Sequence, residues 1–286
     1  MVNYCIVTSS QPISDNLIRS IVEDIKFNKL IRLGKCGVEL QINGNHDIEH
    51  LRKKFSSKLD FNIVTKSDRK KSLLLADLDG TILQEECIDQ IAFLVGKGLE
   101  VQEITRKAMT EDLSFNWALS QRLRMLKGTS IDILYNCLKS HINIRPGTKI
   151  LFRTFKKLLG KTAIVSGGFT FFTEAISKEI TADFNYANTL EFEKNRLTGN
   201  TIGPVLNGEM KGQILKNLCE TLNIDHSKSL AVGDGNNDIN MVSLAGLGVA
   251  FNGSEKLKKR TKIILENSNL SAILYLLGIR EEQFVN

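Results

Sequence analysis

Four short apolar runs constrain this chain more than anything else in it: SLLLA (72–76), TAIVS (162–166), SLAVG (229–233) and LGVAF (247–251). Each is apolar at successive positions, so both faces need covering, as in a central strand of a parallel sheet flanked by helices. Helical segments separate the runs, and parallel neighbours require such crossovers. The expected class is α/β, a doubly wound, mostly parallel, Rossmann-like sheet over residues 72–286. A helical block at about 88–142, comprising 100–128 and 131–142, follows the first strand and reads as a cap. A smaller insertion at about 184–209 has turn signals at Leu197-Thr198-Gly199 and Asn207-Gly208 and predicts a β-flap.

Residues 1–71 follow another pattern. Strands are expected at 2–8, 37–42 and 61–65, with helices at 13–28 and 46–59, giving a small α+β accessory or regulatory domain. The charged segment 66–71 reads as a linker without chemistry. His46 and His50 have a zinc-like spacing, but no nearby ligand completes a site, so they read as surface residues. At 286 residues, with 42% hydrophobic and 24% charged positions, two ordinary globular domains fit.

The net charge of +6 suits an anionic small substrate. The basic clusters Arg69–Lys71 and Lys256–Lys262 lack interleaved aromatics, which argues against nucleic acid. Five scattered cysteines without a CxxC pair suggest reduced thiols in a cytoplasmic protein. No signal peptide opens the sequence, and no apolar run approaches the ~20 residues of a membrane span.

The chemistry collects where the runs stop: Asp77-Leu78-Asp79-Gly80-Thr81, Ser166-Gly167-Gly168-Phe169, and Gly233-Asp234-Gly235-Asn236-Asn237-Asp238, with Lys211 at a helix start before the last. Ligands of doubly wound sheets bind beyond the carboxyl ends of the strands, so these segments should share one crevice. Alternation along an extended chain puts Asp77 and Asp79 on one side and Leu78 in the core. That arrangement suits transfer of a phosphoryl group from a monoester. Asp77 would be the nucleophile and Asp79 the general acid and base. Mg²⁺ would sit on Asp77, Asp234 and the Asp79 carbonyl, with Asp238 behind. Ser166, Gly167, Lys211 and Asn237 would hold the phosphoryl oxygens. Calcium loops fail, because positions 6 and 12 from Asp77 are Ile82 and Ile88, and from Asp234 they are Ile239 and Ala245. No GxxxxGK[ST] is present, which excludes a P-loop.

DLDGT, SGGF, the lone lysine and GDGNND together resemble the haloacid dehalogenase-like (HAD) phosphatase superfamily, over residues 72 to about 275. Within it, Glu86 nine residues after Asp77, with Met109, Phe115 and Arg122 in the helical block, resembles the phosphoserine phosphatases. That resemblance implies a Mg²⁺-dependent, cytoplasmic, often dimeric enzyme performing the last step of serine synthesis on O-phospho-L-serine. It further implies Glu86 on the substrate ammonium, Arg122 on its carboxylate, and Met109 and Phe115 lining the pocket. One departure is Gly80, where that family commonly has serine. The alternative is a superfamily phosphatase for another small phosphomonoester, or a phosphotransferase passing the group to an alcohol such as homoserine.

Overall fold

The computed structural model describes residues 2–44, 46–111 and 113–286, with Met109 and Thr110 described by backbone alone. Its first unit is a four-stranded antiparallel sheet of β1 (Val2–Thr8), β2 (Lys29–Gly34), β3 (Gly37–Asn43) and β4 (Asp60–Thr65), in the order β2-β3-β1-β4. Helices Asp15–Val22 and Glu49–Lys54 complete a βαββαβ pattern. Cys5, Val7, Leu40, Ile42 and Phe61 face those helices, packing with Ile13, Ile21 and Leu51. Strand alternation turns Ile6, Leu33 and Val64 the other way, into the core of the second unit.

Two expectations need correction here. The helix expected over 13–28 ends at Val22, and the one expected over 46–59 spans only Glu49–Lys54. Residues 29–34 are a strand that sequence periodicity did not reveal, because pairing with β3 decides it. The charged segment 66–71 joins this unit to the next, with Lys66, Ser67 and Lys70 exposed and Arg69 and Lys71 anchored. Arg69 donates to Glu39 at 2.6 Å and lies over the Tyr4 ring at 3.7 Å, while the buried Lys71 donates to the Ser227 carbonyl at 2.6 Å.

The second unit is a seven-stranded sheet of β5 (Leu73–Ala76), β6 (Lys161–Phe169), β7 (Phe184–Glu193), β8 (Arg196–Ile202), β9 (Ser229–Gly233), β10 (Leu247–Phe251) and β11 (Ile263–Leu265). The order is β11-β10-β9-β5-β6-β7-β8, parallel except for the β7–β8 hairpin. The double apolar character of the runs has the expected cause. Leu74, Ala76, Ile164, Leu230 and Val232 pack on one face with Phe152, Phe155 and Phe172. Leu73, Leu75, Ala163, Val165 and Ala231 pack on the other with Leu215, Leu218 and Met241.

Helices Cys87–Leu94, Gly98–Thr110, Phe115–Met125 and Ile131–Ser140 form the cap insertion. The flap hairpin is present, but its turn is Lys194-Asn195, both at positive φ (48° and 62°), and not Leu197-Thr198-Gly199. Gly199 lies within β8 against the Leu123 carbonyl of the cap. Asn207-Gly208 is a helix start, with the Asn207 side chain accepting from Glu209 and Met210 amides. Cap and flap are joined along their tips: the Gly128 amide donates to the Leu197 carbonyl at 2.7 Å, and the Leu197 amide to the Thr129 carbonyl at 2.9 Å.

Candidate active site

Register brings the motifs to one level. Ala76 stands opposite Ile164 on one side and Val232 on the other. Asp77 thus emerges one residue past that line, and Ser166 and Asp234 two residues past it. The chain stays extended through Asp77 (ψ 161°) and Asp79 (φ −69°, ψ 134°), and fully buried Leu78 points away between them. It then turns at Gly80, φ 73°. A Cβ there would stand 2.5 Å from Asp234 Oδ2, so glycine suits both the left-handed backbone and the close approach.

Lys211 is the electrostatic centre. It sits in the first turn of helix Gly208–Thr221, where a cation opposes the helix dipole, and its side chain is wholly buried. Its Nζ lies 2.8 Å from Asp77 Oδ1 and 2.7 Å from Asp238 Oδ1. Burial works against the ammonium, yet Asp238 and Asp77 outweigh it and hold its pKa above the ordinary lysine range. Burial, with Asp238 next, raises Asp77 well above a usual carboxyl, and Lys211 counters this. Asp77 Oδ1 also accepts from the Leu78 amide at 2.7 Å. Both contacts fall on one oxygen, leaving Oδ2 for other business.

Asp234 accepts from Thr81 Oγ1 at 2.7 Å, and burial is the main cause that lifts its carboxyl to about 6. Asp238 is fully taken up. Oδ1 meets Lys211, and Oδ2 accepts from the Asp234 and Gly235 amides at 3.1 and 2.9 Å. Oxygens of Asp77, Asp234 and Asp238 come within 4.8 Å of one another, a hard-donor set of the kind Mg²⁺ takes. The residues therefore fit that ion, with Asp238 better placed to hold the others than to coordinate.

Asp79 has one oxygen on the Cys87 amide (2.8 Å) and the other on Ser166 Oγ (3.3 Å). Ser166 Oγ in turn accepts from the Gly168 amide at 2.8 Å. The cap reaches this loop through Phe115, whose ring leaves no room for a Cβ at Gly167 (2.8 Å). Asn237 packs across the backbone of Gly208 at the start of the Lys211 helix. Glu86 occupies the N-cap of Cys87–Leu94 without making a side-chain capping bond, and the Cys87 amide donates instead to Asp79. The residue keeps exposed surface, although protein atoms crowd its carboxyl. Burial first, then Asp79, Asp234 and Asp89, push it up to about 8, and Arg122 partly offsets them. Arg122, half-buried on helix Phe115–Met125, bonds through Nε to the Ala118 carbonyl at 3.4 Å. The Met109 side chain lies outside the described residues.

Three participants carried no role in the sequence reading. Thr81, inside DLDGT, orients Asp234. Asn188, buried on β7, donates to the Gly167 and Gly168 carbonyls (2.8 and 3.3 Å) and accepts from the Leu206 amide (2.7 Å). It fills the gap where β6–β7 pairing shifts between Val165 and Phe169. A lone asparagine in a flap strand gives no sequence signal for that. The third, Arg145, follows the cap.

Residues 100–277 match the sequence profile of the haloacid dehalogenase-like hydrolases. The phosphoserine phosphatase of Saccharomyces cerevisiae is 30% identical over 285 residues, covering 96% of this chain and 92% of that one. A HAD family hydrolase from Salmonella enterica serovar Typhi superposes with a TM-score of 0.86 at 27% identity, over 98% of this chain and 99% of that one. A phosphoserine phosphatase structure described as a phospho-aspartyl intermediate analogue gives 0.68 at 35% identity, over 72% of this chain and 98% of its own.

Proposed function

Given that this chain belongs to the haloacid dehalogenase-like hydrolase family, we propose that it hydrolyses O-phospho-L-serine to L-serine and phosphate through an aspartyl-phosphate. The observation that carries the reading is Lys211, wholly buried between Asp77 and Asp238 at the mouth of the sheet. A buried ammonium beside a carboxylate nucleophile supplies the positive charge that a phosphoryl dianion needs on approach. The name shared by the yeast relative and the intermediate-analogue structure supports the substrate. So does the pairing of one acid, Glu86, with one base, Arg122, on the cap side, which suits an ammonium and a carboxylate.

In this mechanism an Asp77 oxygen attacks phosphorus in line. The bond from phosphorus to the serine oxygen breaks with its electron pair, and Asp79 protonates that oxygen. Asp79 then takes a proton from water as the water oxygen attacks phosphorus, and the bond to Asp77 breaks to restore the carboxylate. Ser166, the Gly167 amide, Lys211 and Asn237 steady the phosphoryl oxygens, and Phe115 packs against the Gly167 loop beside them. Asp77, Asp234 and the Asp79 carbonyl would hold Mg²⁺, which when bound offsets the repulsion between these carboxylates and the phosphate.

The proposal extends to the last step of serine biosynthesis, a cytoplasmic setting and a homodimer. No helix among the described residues is long and apolar enough to cross a membrane. Phosphate release from O-phospho-L-serine and a panel of other monoesters tests the activity, with Mg²⁺ and then with chelator. Adding homoserine tests the phosphotransferase alternative. Faster turnover of another monoester, or phosphoryl transfer to homoserine in preference to water, would overturn the reading.

A further inference from the structure

The turn after the nucleophile leaves a hydrogen-bonding problem. Residues 78–83 close through a Leu83 amide to Leu78 carbonyl bond of 2.8 Å, and the kink at Asp79 and Gly80 breaks the regular ladder that would use the carbonyls between. Buried backbone carbonyls need donors. Arg145 supplies two, which make three hydrogen bonds, its single Nε–H being shared. Its Nε donates to the Gly80 carbonyl at 3.2 Å and the Leu83 carbonyl at 3.1 Å, and its amide donates to the Ile82 carbonyl at 2.8 Å. The guanidinium also lies 5.7 Å from the Phe251 ring centre, at the end of β10.

Arg145 belongs to the segment that returns from the cap. The outgoing segment runs beside it: Leu83 bridges Ile144, the Gln84 amide donates to the Asn143 carbonyl at 3.0 Å, and Glu85 accepts from the Asn143 amide and side chain, both at 2.8 Å. Arg145 therefore ties the paired cap linkers to the Gly80 and Leu83 peptides. Gly80 follows Asp79 directly and abuts Asp234, so the grip acts on the general acid and on the opposite carboxylate together.

We propose that Arg145 is a positioning residue for the reaction, fastening the turn that carries Asp79 to both cap linkers so that cap closure and alignment of that turn occur as one movement. The inference rests on the phosphatase reading, but not on the identity of the alcohol. Its defect therefore falls on turnover and not on recognition of the amino-acid part.

The test compares wild type with Arg145→Met, which keeps the length of the stem, and Arg145→Lys, which keeps the charge but loses the planar donor. Substrates are O-phospho-L-serine and an aryl phosphate. The Met variant is expected to lose about 10–100-fold in kcat on both substrates, with KM within about threefold. Methylguanidinium should restore part of the lost turnover. Hydrogen exchange in the unloaded proteins should quicken at amides 78–86 and 143–147 while β9 and β10 stay protected. If the Met variant does not fold, the Lys variant carries the test, with the same kcat loss and the same local exchange. Unchanged kcat would overturn the proposal. So would exchange that quickens uniformly along the chain, or a loss that appears in KM for O-phospho-L-serine alone. Failure of the substrate reading shows separately, as wild-type turnover of the aryl phosphate without turnover of O-phospho-L-serine.

Discussion

Replacing Glu86 with glutamine removes one charge and leaves the shape of the cleft almost unchanged. Burial and the neighbouring Asp79, Asp234 and Asp89 push the Glu86 carboxyl up to about 8. An acid raised in this way is protonated in the free enzyme until pH approaches that value, and a substrate ammonium needs it ionised. At neutral pH only about a tenth of the free enzyme is then ready, which weakens apparent affinity about tenfold. The sign follows: kcat/KM for O-phospho-L-serine climbs as pH rises from about 6 toward 8, then flattens. A cation at Asp234 relieves part of the repulsion and moves the midpoint down without reversing the trend. The control is 3-phosphonooxypropanoate, which keeps the phosphate and carboxylate but lacks the ammonium. Dividing the two profiles cancels the titration of the phosphate itself. Glu86→Gln should flatten the ratio and raise KM for O-phospho-L-serine about 10–100-fold at pH 8, the worth of a charge-assisted hydrogen bond. A ratio independent of pH in the wild type, or one that still climbs in the glutamine variant, would refute the ammonium role of Glu86.

Asp77→Asn should lower turnover at least ~10³-fold on every phosphomonoester, and mass spectrometry should detect no phosphoryl adduct on the variant. Arg122→Ala should raise KM for O-phospho-L-serine far more than for an aryl phosphate, read from paired kinetics. Chelation should lower Tm, and Mg²⁺ should restore it increasingly as pH rises through about 6, where Asp234 ionises. The raised carboxyl makes the fold bind protons more tightly than the unfolded chain, so metal-free stability falls over that same window. Asn188→Leu should cost about 1–3 kcal/mol by leaving the Leu206 amide and the loop carbonyls unpartnered, measured by denaturant melts alongside a loss of kcat.

The sheet was legible because its signal is local: five apolar residues covered on both faces leave few alternatives. The convergence of Asp77, Lys211, Asp234 and Asp238 was legible for a related reason, since each ends a strand or opens a helix and topology does the rest. Partnerships that cross between elements left no such trace. Asn188, Thr81 and Arg145 act on backbone carbonyls or on a carboxylate brought near by tertiary packing, and no spacing rule reports that. β2 was invisible because its six residues become a strand only through β3. The cap carried an opposite hazard. Glu86 has the position of a helix cap, and only the folded structure shows that its carboxylate makes no capping bond.

The charged stretch 66–71 reads as a linker, and its composition does not report how the two units meet. β11 is a three-residue edge strand, and such edges expose unpaired backbone groups. Asn62 on β4 answers like a partner strand, donating to the Ile264 carbonyl and accepting from its amide, both at 2.9 Å. Asp60 takes the Glu266 and Asn267 amides at 2.9 and 3.1 Å and the Ser268 hydroxyl at 2.6 Å. Arg69 ties the connecting segment to Glu39 of the first unit and Lys71 ties it to the Ser227 carbonyl of the second, and Tyr275 fills the space beside Gly34 and Gly37. A hinged module would leave its inner face polar and its contacts few. Here Ile6, Leu33 and Val64 share one apolar core with Leu265 and Ile273. The first unit thus closes the sheet edge beside β10, whose terminal Phe251 lies 5.7 Å from the Arg145 guanidinium.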